Sequence, residues 1–245
     1  MKRIFTIAVA AIALTIANLP AARADGLIHQ LPADGSWVQF DMTGEGVRPN
    51  GQVSVKIKGT VTVKSVGREP VDGADCRWIE LEMVMEGERG GGQPEGRTSF
   101  IKLLIPEKHL AAGQNPLDHV KKAWKKEGKD GNSVALDLTG NGAPEVKRMD
   151  ELLNAGIASS EKKGDVEISV PAGKFRCTHL KGQESQAGGA VDVEIQTWLA
   201  NDVPFGVAAY RHSKMRKSNG QSQGGRSMEL KLSKSGTGAK SAIAN

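Results

Sequence analysis

Period-two alternation recurs along most of this chain and leaves little room for any architecture but a sheet. Val53, Val55 and Ile57 alternate with Ser54, Lys56 and Lys58, and Val61 and Val63 continue the pattern beyond Gly59. Ile79, Leu81, Met83 and Met85 then share one face, with Cys76, Trp78, Glu80 and Glu82 on the other. Val166, Ile168 and Val170 repeat the pattern, as do Phe175, Cys177 and His179, then Val191, Val193 and Ile195, and finally Met228, Leu230 and Leu232. Successive strand side chains point to opposite faces, so each run has one dry face. Shorter strands are predicted at Trp37–Met42, Thr98–Ile105 and Phe205–Arg211. Gly59 is expected to mark a bulge or bend. The carboxylates Glu80 and Glu82 alternate with apolar residues, which predicts a solvated sheet face.

Two segments break the alternation. From Pro116 to Lys126, Leu117, Val120 and Trp124 recur at three- and four-residue steps, the spacing of an amphipathic helix, with Lys121, Lys122, Lys125 and Lys126 covering the remaining surface. From Pro144 to Asn154, Val146, Met149 and Leu153 form a second such stripe, closed by Gly156. The repeated strand–helix alternation of a parallel fold is absent. The expectation is therefore a mainly β protein, in which a curved antiparallel sheet of about nine or ten strands, an open or half β-barrel, packs on two central helices. Residues 25–232 read as one domain. Ser218–Ser227 is expected to be a long hairpin loop, and residues 233–245 a flexible C-terminal tail.

The N-terminus carries Lys2 and Arg3, then an almost purely apolar run from Ile4 to Leu19, then Ala22-Arg23-Ala24. That is the form of a signal peptide cleaved after residue 24. The run is shorter than the roughly 20 residues that span a bilayer, and no later stretch approaches that length. A soluble protein in the periplasm or secreted from the cell is expected, with no transmembrane segment after signal removal. Without Lys2, Arg3 and Arg23 the net charge falls from +5 to +2, so the overall charge makes no case for nucleic acid. In an oxidising compartment the two cysteines, Cys76 and Cys177, point to one disulfide, with two buried free thiols as the other reading. A bridge would close a loop of about 100 residues, worth ~4–5 kcal/mol in the loop-entropy model.

Catalytic and cofactor motifs are missing. No two of His29, His109, His119, His179 and His212 stand at metal-ligand spacing in the sequence, and no H-E-x-x-H or G-x-S-x-G occurs. Gly236-Thr237-Gly238-Ala239-Lys240-Ser241 only faintly resembles a phosphate loop, because position 239 is not glycine. The expectation is a protein without enzymatic activity, cofactor or metal. Residues 211–245 hold eight basic residues and one acidic residue, and a patch of that sign suits anionic lipid headgroups or an acidic partner.

Two segments carry a family resemblance. Val170-Pro171-Ala172-Gly173-Lys174-Phe175-Arg176-Cys177 and Trp198-Leu199-Ala200-Asn201-Asp202-Val203-Pro204-Phe205-Gly206-Val207 are similar in order and kind to a pattern in the superfamily of the periplasmic carrier LolA and receptor LolB. They also resemble a family of uncharacterised exported bacterial proteins with that fold. The resemblance implies a LolA-like open β-barrel capped by helices, in which a concave cavity holds lipid or acyl chains. On this reading Ile79, Leu81, Met83 and Met85 line a hydrophobic cleft, and the protein is a binding or carrier protein for lipid or another apolar ligand. The alternative is an envelope-associated structural or protein-interaction module with no small ligand.

Overall fold

A computed structural model of the chain describes residues 26–88, 96–140, 142–153 and 160–244. The expected signal peptide, residues 89–95, and residues 154–159, where the second expected helix was to end, lie outside them. Among the described residues no helix is long and apolar enough to cross a membrane.

Eleven strands form a single antiparallel sheet that does not close into a barrel. They are β1 (Trp37–Val47), β2 (Val53–Val71), β3 (Ala74–Glu88), β4 (Arg97–Pro106), β5 (Lys122–Glu127), β6 (Ser133–Ala135), β7 (Glu161–Val170), β8 (Gly173–Gln186), β9 (Val191–Leu199), β10 (Val207–Ser218) and β11 (Gln221–Gly236). Two short helices, α1 (Ala143–Lys147) and α2 (Asp150–Leu153), lie between β6 and β7. The order across the sheet is β6-β5-β4-β3-β2-β1-β11-β10-β9-β8-β7. Each half is an up-and-down meander, and the first strand pairs with the last to join them. The sheet curls far enough for the β7–β8 turn to meet β11, where the Ala172 N–H donates to the Leu232 carbonyl at 3.0 Å.

The alternation read from the sequence defines the core. Val38, Phe40, Val61, Val63, Ile79, Leu81, Leu103, Ile195, Leu230 and Leu232 are buried on the inner face, together with Val146, Met149, Leu152 and Leu153 of the helical segment. The N-terminal segment completes this core with Leu27 and Ile28. A Cβ at Gly26 would collide with the backbone of Leu152 and Leu153, so glycine is what allows this strand of chain to lie against α2. The Leu27 N–H then donates to the Leu152 carbonyl at 2.7 Å.

The two turns of the family-like pattern have identifiable mechanical roles. Pro171 and Ala172 form the β7–β8 turn that meets β11. In Val203-Pro204-Phe205-Gly206 the chain turns sharply with positive φ at Phe205 (64°) and Gly206 (79°). The fully buried Phe205 side chain anchors this turn, and its carbonyl accepts the N–H of His29 at 2.9 Å.

Several expectations are corrected. The Pro116–Lys126 segment is not a helix: Pro116–His119 is a single 3-10 turn and Lys122–Glu127 is β5. Read as a strand, it places Ala123 in the main core and Trp124 on the opposite face against Trp78 and Leu104, a division that three- and four-residue spacing cannot reveal. The second expected helix is two short pieces rather than one, with Val146, Met149 and Leu153 buried as expected. The sheet therefore packs on one broken helical segment and has more strands than expected. Gly59 pairs in register with Met42; the irregularities in β2 fall opposite Gly46–Val47 and between Ser65 and Arg68 instead. Ser218–Ser227 is no loop, since β10 and β11 run to a tight turn at Asn219-Gly220.

Cys76 and Cys177 are both free and buried. Cys76 sits with Trp78 and Leu104 in a small outer cluster, whereas Cys177 belongs to the main inner core. Their separate packing, rather than sequence distance, keeps the two sulfurs apart. Burial pushes the Cys177 thiol up to about 11 and also raises that of Cys76, so neither is a poised nucleophile.

The tail also departs from expectation. Residues 233–236 continue β11, and the chain then folds over the outer face and buries Ile243.

Candidate functional site: a charged groove on the inner face

At the end of the sheet beyond the core, the inner face opens into a groove of about 680 Å³. Strand register builds its floor. Lys214 of β10 stands between Val193 of β9 and Arg226 of β11, and one layer deeper His212 stands between Ile195 and Met228. The helical segment supplies the facing wall, with Pro144, Lys147 and Arg148 from α1 and its C-terminal cap, and Asp150 and Glu151 from α2. Four cationic side chains and two carboxylates thus line the groove.

The carboxylates are partly engaged. Glu151 pairs with Arg226, and its backbone carbonyl accepts the Tyr210 hydroxyl at 2.7 Å. Tyr210 is fully buried, and burial pushes its phenol well above the ordinary range, so it acts as a fixed donor that locks α2 onto β10. Arg148 is held by Glu145 at 2.9 Å. Lys147 and Lys214 have no ion-pair partner among the described residues. His212 is buried; desolvation holds it below the usual histidine range, and Arg226 and Lys214 oppose its protonation, against the pull of Glu151 and Asp150. The groove therefore offers two ammonium groups without ion-pair partners among the described residues, beside Val193, Pro144 and a histidine that favours its neutral form.

None of the four residues expected to line a cleft borders this groove. Ile79 and Leu81 are fully buried in the core, and Met83 and Met85 are half-buried against it. His179 stacks on Trp198 with ring centroids 4.6 Å apart, and its Nε2 lies 3.0 Å from Gln196 Oε1. Sequence spacing also missed the stacking of His109 on His119 at 3.4 Å. Glu80, expected in solvent, is fully buried. The groove residues left no local signal, because they come from two helices and from strands on the far side of the chain.

No family model matches this sequence, and a search of curated proteins finds no match. Among solved structures, the chain is similar to a β-barrel-like protein of the domain of unknown function DUF1849 from Brucella abortus, at 11% identity and a TM-score of 0.32, covering 86% of this chain and 99% of that one. It is also similar to a protein described as exported, with a YmcC-like fold, from Bacteroides fragilis, at 8% identity and a TM-score of 0.31 over 86% and 100% of the two chains. A protein described as a lipoprotein from Parabacteroides distasonis follows at 10% identity and 0.29, over 87% and 100%. At these scores the groove has to be read from its own geometry.

Proposed function

We propose that this is an exported, non-catalytic binding or carrier protein whose inner groove takes an amphipathic ligand with an anionic group. Lys147 and Lys214 are the observation that carries the reading: two cations, one from the α1 wall and one from the β10 floor, that line one groove and have no ion-pair partner among the described residues. Arg226 and Arg148, each already paired with a glutamate, complete the cationic lining. Val193 and Pro144 in the lining, with Ile195 and Met228 at the level below, suit an apolar portion, and such mixed concave sites are where proteins place small ligands. Export rests on the leader-like N-terminus. The carrier role follows the resemblance of the 170–177 and 198–207 segments to the LolA and LolB superfamily.

The test is uptake of anilinonaphthalene sulfonate, an apolar anion, beside the neutral apolar dye Nile red. The sulfonate should bind stoichiometrically to the folded protein and weaken with added salt. Lys147→Glu with Lys214→Glu should lower its affinity about tenfold or more, since each charged hydrogen bond lost is worth ~1.5 kcal/mol or more. Equal binding of both dyes, indifferent to the substitutions, would refute the reading. Native mass spectrometry of the protein from its own host would then identify the occupant.

A further inference from the structure

On the outer face, the sheet carries a second constructed site that is independent of the groove. Register aligns Lys64 of β2, Glu80 of β3, Lys102 of β4 and Trp124 of β5 in one row across four strands. Glu80 and Lys102 are both buried. Residues 241–243 cover them. The Glu80 carboxylate accepts the Ser241 hydroxyl at 2.6 Å, the Ala242 N–H at 3.0 Å and the Ile243 N–H at 3.3 Å. Lys102 Nζ donates to the Ile243 carbonyl at 3.2 Å, and Lys126 Nζ to the Ala242 carbonyl at 3.3 Å. Lys102 also lies 4.9 Å from the centroid of the Trp78 ring. The Ile243 side chain is 1% exposed.

One acceptor thus reads two successive amide N–H groups, and two donors read the carbonyls of the same two residues. That is recognition of a polypeptide backbone, with one buried position for an aliphatic side chain. A segment serving only to seal the sheet would be held more cheaply by apolar side chains, because a buried charge carries a desolvation penalty of several kcal/mol. Charges suit an occupant that leaves, because they regain water when uncovered. Glu80 also keeps Lys64 at 3.2 Å. The tether is short and articulated: Ala239 N–H is fixed to the Gly35 carbonyl at 2.8 Å, and Gly238 adopts positive φ (77°), so the covering residues alone need to lift.

We infer that the outer face of β3–β5 is a polypeptide-docking site, occupied in cis by residues 241–243, and that its exchangeable partner is a segment of another chain presenting a hydroxyl residue, a small residue and an aliphatic residue in succession. The tethered segment has a large effective concentration, so a free peptide competes poorly until that segment is weakened. Ala242→Pro in the full chain removes the N–H that Glu80 accepts; Ile243→Asp weakens the segment by a different route. The probe is a fluorescent peptide with the sequence of residues 237–244, followed by anisotropy. Both variants should bind it at least ~10-fold more tightly than the unsubstituted protein. Lys126→Ala, at the rim of the site, should weaken that binding about threefold or more in either background without loss of fold, and a peptide with proline at the position of Ala242 should not bind. Failure of both variants to gain peptide binding, or binding unaffected by Lys126→Ala and by proline in the peptide, would overturn the inference.

Discussion

The outer face over β3–β4 and the inner groove between α1–α2 and β9–β11 both gather charge on a sheet, and they treat it in opposite ways. On the outer face the buried ionic groups find partners within the chain: Glu80 accepts from Lys64, Ser241, Ala242 and Ile243, and Lys102 reaches Ile243. In the groove only some of the charge is matched. Glu151 takes Arg226, while Lys147 and Lys214 face solvent space. A matched, buried charge is structural as long as its cover stays in place, and its loss is felt as instability. An unmatched, half-open charge adds little to folding and leaves free energy for a ligand.

The strongest way to break this contrast is to remove a matched charge. Glu80→Leu takes the neighbouring carboxylate from buried Lys102, leaves Lys64 with Glu82 alone and detaches the covering segment, so urea unfolding should show a loss of about 3 kcal/mol. An unchanged midpoint would mean that the outer charges are not coupled to stability. Next comes alkaline pH, which separates the inner core from the groove. The Cys177 thiol sits at about 11 in the fold against an ordinary value near 9.0. The folded state therefore holds the proton more tightly, so stability is unaffected below about pH 9 and falls as pH rises from 9 toward 11. Cys177→Ala, compared with the parent by the slope of the unfolding free energy across that window, should flatten the decline even though the cavity lowers the baseline. Tyr210→Phe should cost about 1 kcal/mol, read by thermal or urea unfolding, because it leaves the Glu151 carbonyl without its donor. Lys214→Ala should change stability by no more than ~0.5 kcal/mol while weakening binding of the sulfonate dye. A large stability loss there would erase the distinction between the two regions.

What the sequence revealed follows from how local each signal is. Alternation over Ile57–Val63, Ile79–Met85 and Met228–Leu232 found the strands and their inner faces, because side-chain direction depends only on the backbone of the same strand; Val53, at the start of β2, is exposed instead of dry. The lysine-rich stretch after Pro116 misled because Leu117, Val120 and Trp124 belong to a turn, a connector and a strand, and their helical spacing is incidental. The tail was misread for the opposite reason. Its residues carry no periodicity, and what orders them, Glu80 and Lys102, lies 140 to 160 residues away in sequence. Glu80 itself looked solvated because a strand's outer face is normally wet, and nothing nearby in the sequence announces its cover. The groove was illegible for the same reason: Lys147 and Lys214 come together only when β10 takes its place beside β9 and β11.

Pairing of β1 with β11 has a consequence for how the molecule is made. The middle of the sheet is assembled from the two ends of the chain, Trp37–Val47 and Gln221–Gly236. During synthesis from the N-terminus, β1 emerges before β2–β10 and must wait for all of them before β11 covers its second edge. Bringing such distant strands together carries a large loop-closure entropy and slows folding, and until then the nascent sheet exposes an unpaired β1 edge open to other chains. The last of the described strands thus completes the centre of the sheet.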